Sequence, residues 1–349
     1  MLAHITTMTA KLAKDPLDFD AQCRLFFDTQ IDVSYLDQAR TAAQHRELER
    51  LLPVVPAACG APLHERYLTY REQFLIPKAG YKPFFRRLLD DCVRPMEEKV
   101  PELADARVTQ TYIDDPTQCF EATCEPVGPN ESTMVVNLAR PVTYDKAQQL
   151  AVHELTHHMQ FVLMDRHLYH FPEMRVALDD GPMGMLLEGG AEVAVDLFFP
   201  PGKMARQEDL TERLPGPLKS CAAHMLAVER LTWSGLWSAN IRIAKQLIDG
   251  EISPQHARHA MLTVALKPDS SWPNVAFFQE YGAYTQSYGW GKQSIMDYLR
   301  TQAQHATLLD AYIAFAKRPP TPGRMRAVIG AAGLASSQAG SGEKIGDGG

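Results

Sequence analysis

Residues 144–164 read YDKAQQLAVHELTHHMQFVLM, a stretch without proline or glycine whose apolar residues recur at helical intervals. Within it stands the pattern H-E-x-x-H, formed by His153, Glu154 and His157. Because residues four apart share one face of a helix, the imidazoles of His153 and His157 can bind one metal ion. Glu154 adjoins the first histidine and can reach a metal-bound water as a general base. We therefore predict a helix that supplies two metal ligands and one catalytic base.

A second predicted helix covers residues 185–199, MLLEGGAEVAVDLFF, and is apolar nearly all round, which indicates a buried element. Its two carboxylates, Glu188 and Glu192, lie four residues apart, and burying them is costly unless they are paired or bind metal. We predict that Glu188, at the start of this helix, is the third metal ligand. Glu192 would accept the other ring N–H of a liganding imidazole. Gly189 and Gly190 predict a close backbone approach, as a crossing of the two metal-binding helices would require.

The blocks HELTHHMQF and MLLEGGAEVAVDLF resemble the gluzincin branch of the H-E-x-x-H zinc metallopeptidases, especially bacterial members with H-E-L-x-H and a W-L-x-E-G-x-A-E helix. A second resemblance is to a helical bacterial family with the motif H-E-x-x-P-G-H-H-x-Q; residues 284–293, YTQSYGWGKQ, are similar to its S-Y-x-x-G-K segment. This chain departs from the first pattern, because Met185-Leu186 stands in place of Trp-Leu.

The resemblance assigns roles to individual residues. It implies His153, His157 and Glu188 as ligands of one Zn²⁺, Glu154 as the base and Glu192 as support for a ligand. It also implies Tyr288 as a hydrogen-bond donor to the oxyanion formed during hydrolysis. Tyr284 and His224 are further candidates for that donor.

Three hypotheses for the function stay open from the sequence. The first is a zinc-dependent hydrolase, a metallopeptidase acting on a peptide or small amide, because three protein ligands leave one position on zinc for water. The second is a non-haem iron enzyme, since two histidines and one carboxylate also hold Fe²⁺ with positions open for oxygen. The third is a non-catalytic protein stabilised by its metal, although structural zinc sites usually have four protein ligands.

Composition excludes several other classes of protein. The 349-residue chain is 45% hydrophobic, has a net charge of -7 and contains no long basic patch, so we expect no nucleic-acid partner. The sequence contains no run of 18 apolar residues, so we expect no membrane span. The first residues lack the apolar core of a signal peptide. Six scattered cysteines without a C-x-x-C pair are typical of reduced thiols, so we expect a cytoplasmic protein.

The predicted fold is mainly α with a small antiparallel β-sheet, an α+β fold with a zincin-like pair of metal-binding helices. We divide the chain into an N-terminal helical lid or wall (residues 1–104), a catalytic domain (105–333) and a Gly/Ser-rich disordered tail (334–349). Strands are expected between 108 and 138, where residues 132–138 form either an edge strand for an extended substrate or an ordinary strand. The remaining predicted helices cover 18–52, 82–100, 218–249, 254–265, 288–303 and 305–317.

Overall fold

The computed structural model describes residues 17–52, 60–168, 181–198, 204–268, 270, 273–303 and 306–341, apart from the side chains of 204–207, 209 and 333–341. The α-helices are α1 (Phe19–Phe27), α2 (Gln38–Leu51), α3 (Leu63–Glu72), α4 (Tyr81–Lys99), α5 (Tyr144–Leu168), α6 (Pro182–Phe198), α7 (Met204–Arg213), α8 (Ala222–Glu229), α9 (Trp237–Ile248), α10 (Pro254–Thr263), α11 (Val275–Tyr281), α12 (Gln286–Gln302), α13 (Leu308–Lys317) and α14 (Pro322–Ser341). Short 3₁₀ turns cover Val33–Leu36, Lys78–Gly80, Pro101–Leu103, Gly216–Cys221 and Gly282–Thr285, and Arg230–Ser234 form a π-turn. The strands are β1 (Arg107–Ile113), β2 (Ala122–Gly128) and β3 (Glu131–Asn137).

The mainly α, α+β fold class with a small sheet is confirmed, but the sheet is mixed rather than antiparallel as predicted. The strand order is β1-β3-β2, in which β2 pairs antiparallel with β3 while β1 pairs parallel with β3. A tight turn through Asn130, whose φ is 57°, folds β2 back on β3. The other edge of β3 then accepts β1, so β3 is the central strand and β2 is an edge strand. Of the two alternatives for residues 132–138, the edge strand is therefore wrong, and the ordinary strand of a small sheet agrees with the structure.

Two of the predicted long helices are interrupted. Residues 18–52 break after α1, where Asp28 takes a left-handed conformation, and Asp37 starts α2 by accepting a hydrogen bond from the Ala39 N–H. An aspartate side chain that accepts from a nearby backbone N–H offers that group an alternative to a helical hydrogen bond, which favours a helix end or start at this place. The predicted helix 218–249 is divided into α8, the π-turn and α9. At the C-terminus, α14 reaches Ser341, inside the segment predicted to be disordered, and residues 342–349 lie outside the described part.

Among the described residues, the apolar core consists of two large clusters that meet at α6 and a small third one formed by Met164, Leu168 and Leu187. The first surrounds α5 and includes Phe85 of α4 and Leu155 of α5. The second joins α1, α9 and α11 through Phe27, Trp237 and Phe278. Helix α6 contributes Met185 to the second cluster and several of its other residues to the first. Since the first cluster takes residues from both sides of position 104, the proposed boundary there stays a prediction. Among the described helices, none is long and apolar enough to cross a membrane.

Candidate metal centre

The side chains of His153, His157 and Glu188 converge on one point between α5 and α6. The Nε2 atoms of the two histidines are 3.2 Å apart, and Oε2 of Glu188 lies 3.1 Å from His153 Nε2 and 3.4 Å from His157 Nε2. Among the described residues, these three form the one group of ligand atoms close enough together to hold a metal ion. Atoms bound to a tetrahedral zinc at 2.0–2.1 Å stand about 3.3 Å apart, so the triangle has the size of one face of that tetrahedron.

The predicted spacing of four residues on one helix explains why the two histidine side chains meet. His153 and His157 lie one turn apart on α5, so both rings project toward α6. Glu188 lies in the second turn of α6 rather than at its start, because this helix begins at Pro182. Glu192 follows one turn later on the same side, and its Oε1 lies 3.2 Å from His153 Nδ1. Glu188 and Glu192 thus approach the two nitrogens of one imidazole ring.

The two glycines of α6 allow close approaches, but not in the way expected. A Cβ on Gly189 would lie 2.6 Å from the backbone carbon of Gly291 in α12, so the close backbone contact is with α12 and not with α5. A Cβ on Gly190 would lie 2.7 Å from Nε2 of Gln160. Gly190 therefore makes room for a side chain of α5 beside the metal centre.

Gln160 fixes the orientation of His157. Its Nε2 donates to the backbone oxygen of Leu187 at 3.0 Å, which leaves Oε1 facing His157 Nδ1 at 3.0 Å. Because an amide oxygen accepts only, Nδ1 of His157 must carry the proton and Nε2 must present its lone pair to the centre. Gln160 was not among the predicted site residues. Its position three residues after His157, on the same helix face, is the signal in the sequence that indicates it.

Glu192 is buried behind His153 and is held by further donors. Nε1 of Trp233 donates to its two carboxylate oxygens at 3.3 and 3.2 Å, and Nε2 of Gln149 donates to Oε1 at 3.3 Å. The N–H of His153 Nδ1 is not aligned for a linear hydrogen bond at its 3.2 Å contact, so the attraction there is mainly between charges. Trp233 lies in a π-turn, a type of helical distortion that is frequent at functional sites. No pattern in the sequence predicted this turn.

Two tyrosines stand on the far side of Glu188. The Tyr284 hydroxyl donates to Glu188 Oε1 at 2.6 Å, so Tyr284 holds the carboxylate whose other oxygen faces the histidines. The Tyr288 ring stacks on Trp237, with centroids 5.1 Å apart, and lies 6.2 Å from the ring of His153. Burial and the nearby Glu188 raise the pKa of Tyr288 well above its usual value, so its hydroxyl stays protonated and can donate.

The charges of the centre call for a cation. Burial alone would raise the pKa of Glu188, but His157 and His153 hold it below its usual value. Burial likewise opposes charging of His153, yet Glu188 and Glu192 raise its pKa. Two imidazoles and the carboxylates beside them thus surround a position that favours positive charge. The donor set, with the His157 lone pair already aimed inward, fits a divalent metal bound by nitrogen and oxygen.

A cleft of about 240 Å³ opens beside these ligands. Glu154 lines it, and burial raises the pKa of this carboxyl group. Ala122 and Cys124 of the edge strand β2 form one side, and aromatic rings, including Phe161 and Tyr281, form much of the remainder. None of the described residues before 105 lines this cleft, and the proposed N-terminal lid or wall stays a prediction.

Other polar residues near the motif serve different contacts. His158 turns toward the sheet, where its Nδ1 lies 2.9 Å from Ser132 Oγ. His224, a candidate oxyanion donor, packs against the ring of Tyr70 at 5.5 Å and does not line the cleft. Lys292 pairs with Asp196 at 2.8 Å. The structure therefore brings every residue of the proposed site to the cleft or its immediate border, with the exception of His224.

Comparisons with known proteins place the fold but not the function. No family model matches the chain, and no curated protein matches it. Among solved structures it is similar to the crystal structure described as the "putative lipoprotein from Colwellia psychrerythraea", with a TM-score of 0.62 and 15% identity. That match covers 95% of this chain and 60% of the other, so this chain spans less than two thirds of that protein's length.

Proposed function

We propose that this chain is a zinc-dependent hydrolase that cleaves a peptide or related amide bond. The observation that carries the proposal is the triangle of His153, His157 and Glu188, whose ligand atoms stand 3.1 to 3.4 Å apart. Three protein ligands of this kind are typical of a catalytic zinc, whereas a structural zinc usually has four. A metal ion held there would supply a water of lowered pKa and polarise a substrate carbonyl.

The side chains around the ligands have matching roles in this proposal. Glu154, which lines the cleft, accepts the proton of the attacking water and passes it to the leaving amine. Tyr288 keeps its proton and donates a hydrogen bond to the substrate oxygen as negative charge develops on it. Gln160 and Glu192 hold the two imidazole rings in position.

The form of the cleft suits an extended chain. β2 is an edge strand of the sheet, and its first three residues line the cleft beside the ligands. In this proposal their backbone groups pair with a substrate strand. This role was one of two alternatives for residues 132–138, most of which lie in the central strand β3. We assign it to Ala122–Cys124.

In the same proposal we place the protein in the cytoplasm. The described cysteines form no disulfide with one another, which suits a reducing compartment. The similar solved structure carries the description of a lipoprotein, which would suit a membrane-anchored protein instead. Fractionation of the native cells followed by immunodetection distinguishes the two, because an anchored protein would sediment with membranes.

The proposed reaction is tested by mass spectrometry of a peptide mixture incubated with the purified protein. We expect cleavage by the wild type and its loss in Glu154→Gln, which keeps the metal ligands and the size of the side chain. Restored cleavage after zinc is returned to chelator-treated wild type is also expected. If Glu154→Gln cleaves as fast as the wild type, the hydrolase proposal fails. Iron in the purified protein, with oxygen-dependent turnover, would favour the non-haem iron hypothesis.

A further inference from the structure

A second cavity, of about 70 Å³, adjoins the metal cleft. Its wall includes Tyr70 and Arg71 of α3, Lys146 from the first turn of α5, and Lys267. Glu121 and Trp233 line both this cavity and the metal cleft, so the two spaces share a wall. The two spaces therefore lie side by side, close enough for one substrate to have groups in both.

The charges of this pocket balance in number. The cations are Arg71, Lys146 and Lys267, and the anions are Glu121, Asp145 and Glu229. Because the formal charges cancel, the hydrogen-bonding capacity of the wall decides which ligand it suits. Nζ of Lys146 and Oε2 of Glu121 form an ion pair at 3.4 Å, but neither atom has a well-aligned hydrogen bond to a described residue.

Some polar atoms of the wall make no hydrogen bond to a described residue. Among these atoms, hydrogen-bond donors outnumber acceptors. These atoms are the Lys146 ammonium, the Tyr70 hydroxyl and Glu121 Oε2. An ammonium carries three N–H donors and no acceptor, and a phenol can also donate. A buried donor without an acceptor is costly, by more when it is charged. The pocket therefore suits a ligand that accepts hydrogen bonds.

The two lysines add positive charge in one place. The ammonium groups of Lys146 and Lys267 lie 2.8 and 4.2 Å from the centroid of the Trp233 ring. An aromatic face attracts a cation but replaces only part of its hydration. Burial lowers the pKa of Lys146, and burial together with Lys146 lowers that of Lys267. A bound anion would stabilise the charged form of both side chains.

We propose that this cavity binds a carboxylate of the substrate, held by Lys146 and Tyr70 in the field of Lys267. The inference rests on the proposed hydrolase function and names its substrate class, an acidic peptide or amide. At about 10–15 Å³ for each water-sized group, the pocket accepts roughly five to seven non-hydrogen atoms. This is enough for a carboxylate and the few atoms that connect it. The carboxylate is either an acidic side chain beside the cleaved bond or the C-terminus of the substrate.

Binding is tested first without catalysis, with [¹³C]acetate as the probe and NMR line broadening as the measurement. The protein is full-length Glu188→Ala treated with a chelator, so acetate has no metal ion to bind. We expect saturable binding that Lys146→Met and Lys267→Met, introduced into this background, each weaken by about tenfold to a hundredfold. Lys146→Arg should keep the binding. Lys245→Met, which removes a lysine paired with Asp20 and Asp249 away from both cavities, is the matched control.

Lys146→Met leaves the buried carboxylate of Glu121 without its cation, which is strongly destabilising, whereas Lys146→Arg keeps the ion pair. Thermal melting therefore checks that each variant is folded before binding is compared. The zinc-loaded enzyme is then tested with pairs of peptides, Glu against Gln beside the bond, and C-terminal acid against amide. We expect one pair to differ by about tenfold or more in kcat/KM, and Lys146→Met to remove the difference. The pair that responds identifies the source of the carboxylate.

The inference is overturned if acetate binds Lys146→Met and Lys267→Met as tightly as Lys245→Met. It is also overturned if peptides are cleaved but neither pair shows a preference that depends on Lys146. Lysine-dependent acetate binding without cleavage of any peptide would refute the hydrolase proposal while supporting the carboxylate pocket. The failure of the pocket and the failure of the hydrolase are therefore distinguishable.

Discussion

Replacing Gln160 with methionine should weaken metal binding although Gln160 does not touch the metal position. Its amide joins the two ligand-bearing helices, because Oε1 lies 3.0 Å from His157 Nδ1 while Nε2 donates to the Leu187 backbone oxygen at 3.0 Å. Methionine has a similar length but removes both bonds. Residues that orient a metal-binding histidine typically contribute 10- to 100-fold to metal affinity, which is about 1.4 to 2.8 kcal/mol.

The change should also lower stability, because it leaves the buried Leu187 oxygen without a donor, at a cost of about 1–3 kcal/mol. Metal affinity is measured by competition with a chelator of known zinc affinity, and stability by thermal unfolding with and without zinc. Gln73→Met is the matched control, since Gln73 Nε2 donates to the Thr69 backbone oxygen at 3.3 Å in an exposed place. If folded Gln160→Met binds zinc within twofold of the wild type, the orientation argument is refuted.

Three further predictions concern the same centre. Glu154→Gln should reduce peptide hydrolysis by about 10²- to 10⁴-fold while zinc content, measured by mass spectrometry, stays unchanged; equal loss of zinc would contradict a role as the base. Gly189→Ala should lower the free energy of unfolding by about 1–3 kcal/mol in denaturant titrations, because its Cβ would lie 2.6 Å from the backbone of Gly291, whereas Gly216→Ala has open space and should not. Trp233→Phe should lower zinc affinity by about threefold to tenfold in the chelator competition, since it removes a donor to the carboxylate behind the first histidine; unchanged affinity would contradict that support.

The ligand-bearing helices were predictable because their signals are local. Spacing of four residues placed His153 and His157 on one helix face, and the apolar surroundings of Glu188 and Glu192 indicated that these carboxylates are buried. These local signals therefore identified both helices and the residues that they bring to the metal centre. The same local reasoning placed Glu188 at the helix start, which is wrong because Pro182 begins the helix one turn and a half earlier.

The rest of the centre depends on contacts between distant segments. Trp233 reaches Glu192 across 41 positions of sequence, and Tyr284 reaches Glu188 across 96. No periodic pattern records such pairings. Strand order is similarly invisible, because three short strands with the same alternation can pair in several ways, and only the structure shows that β2 is the edge beside the cleft.

The central claim is that His153, His157 and Glu188 bind one metal ion. The most direct test is the metal content, by mass spectrometry, of wild-type protein and Glu188→Ala, both purified without added metal. Glu125→Ala, which removes an exposed carboxylate on β2, serves as the control. We predict about one zinc per chain in the wild type and in Glu125→Ala, and little or none in Glu188→Ala. Equal metal in all three proteins, or none in any, would contradict the account.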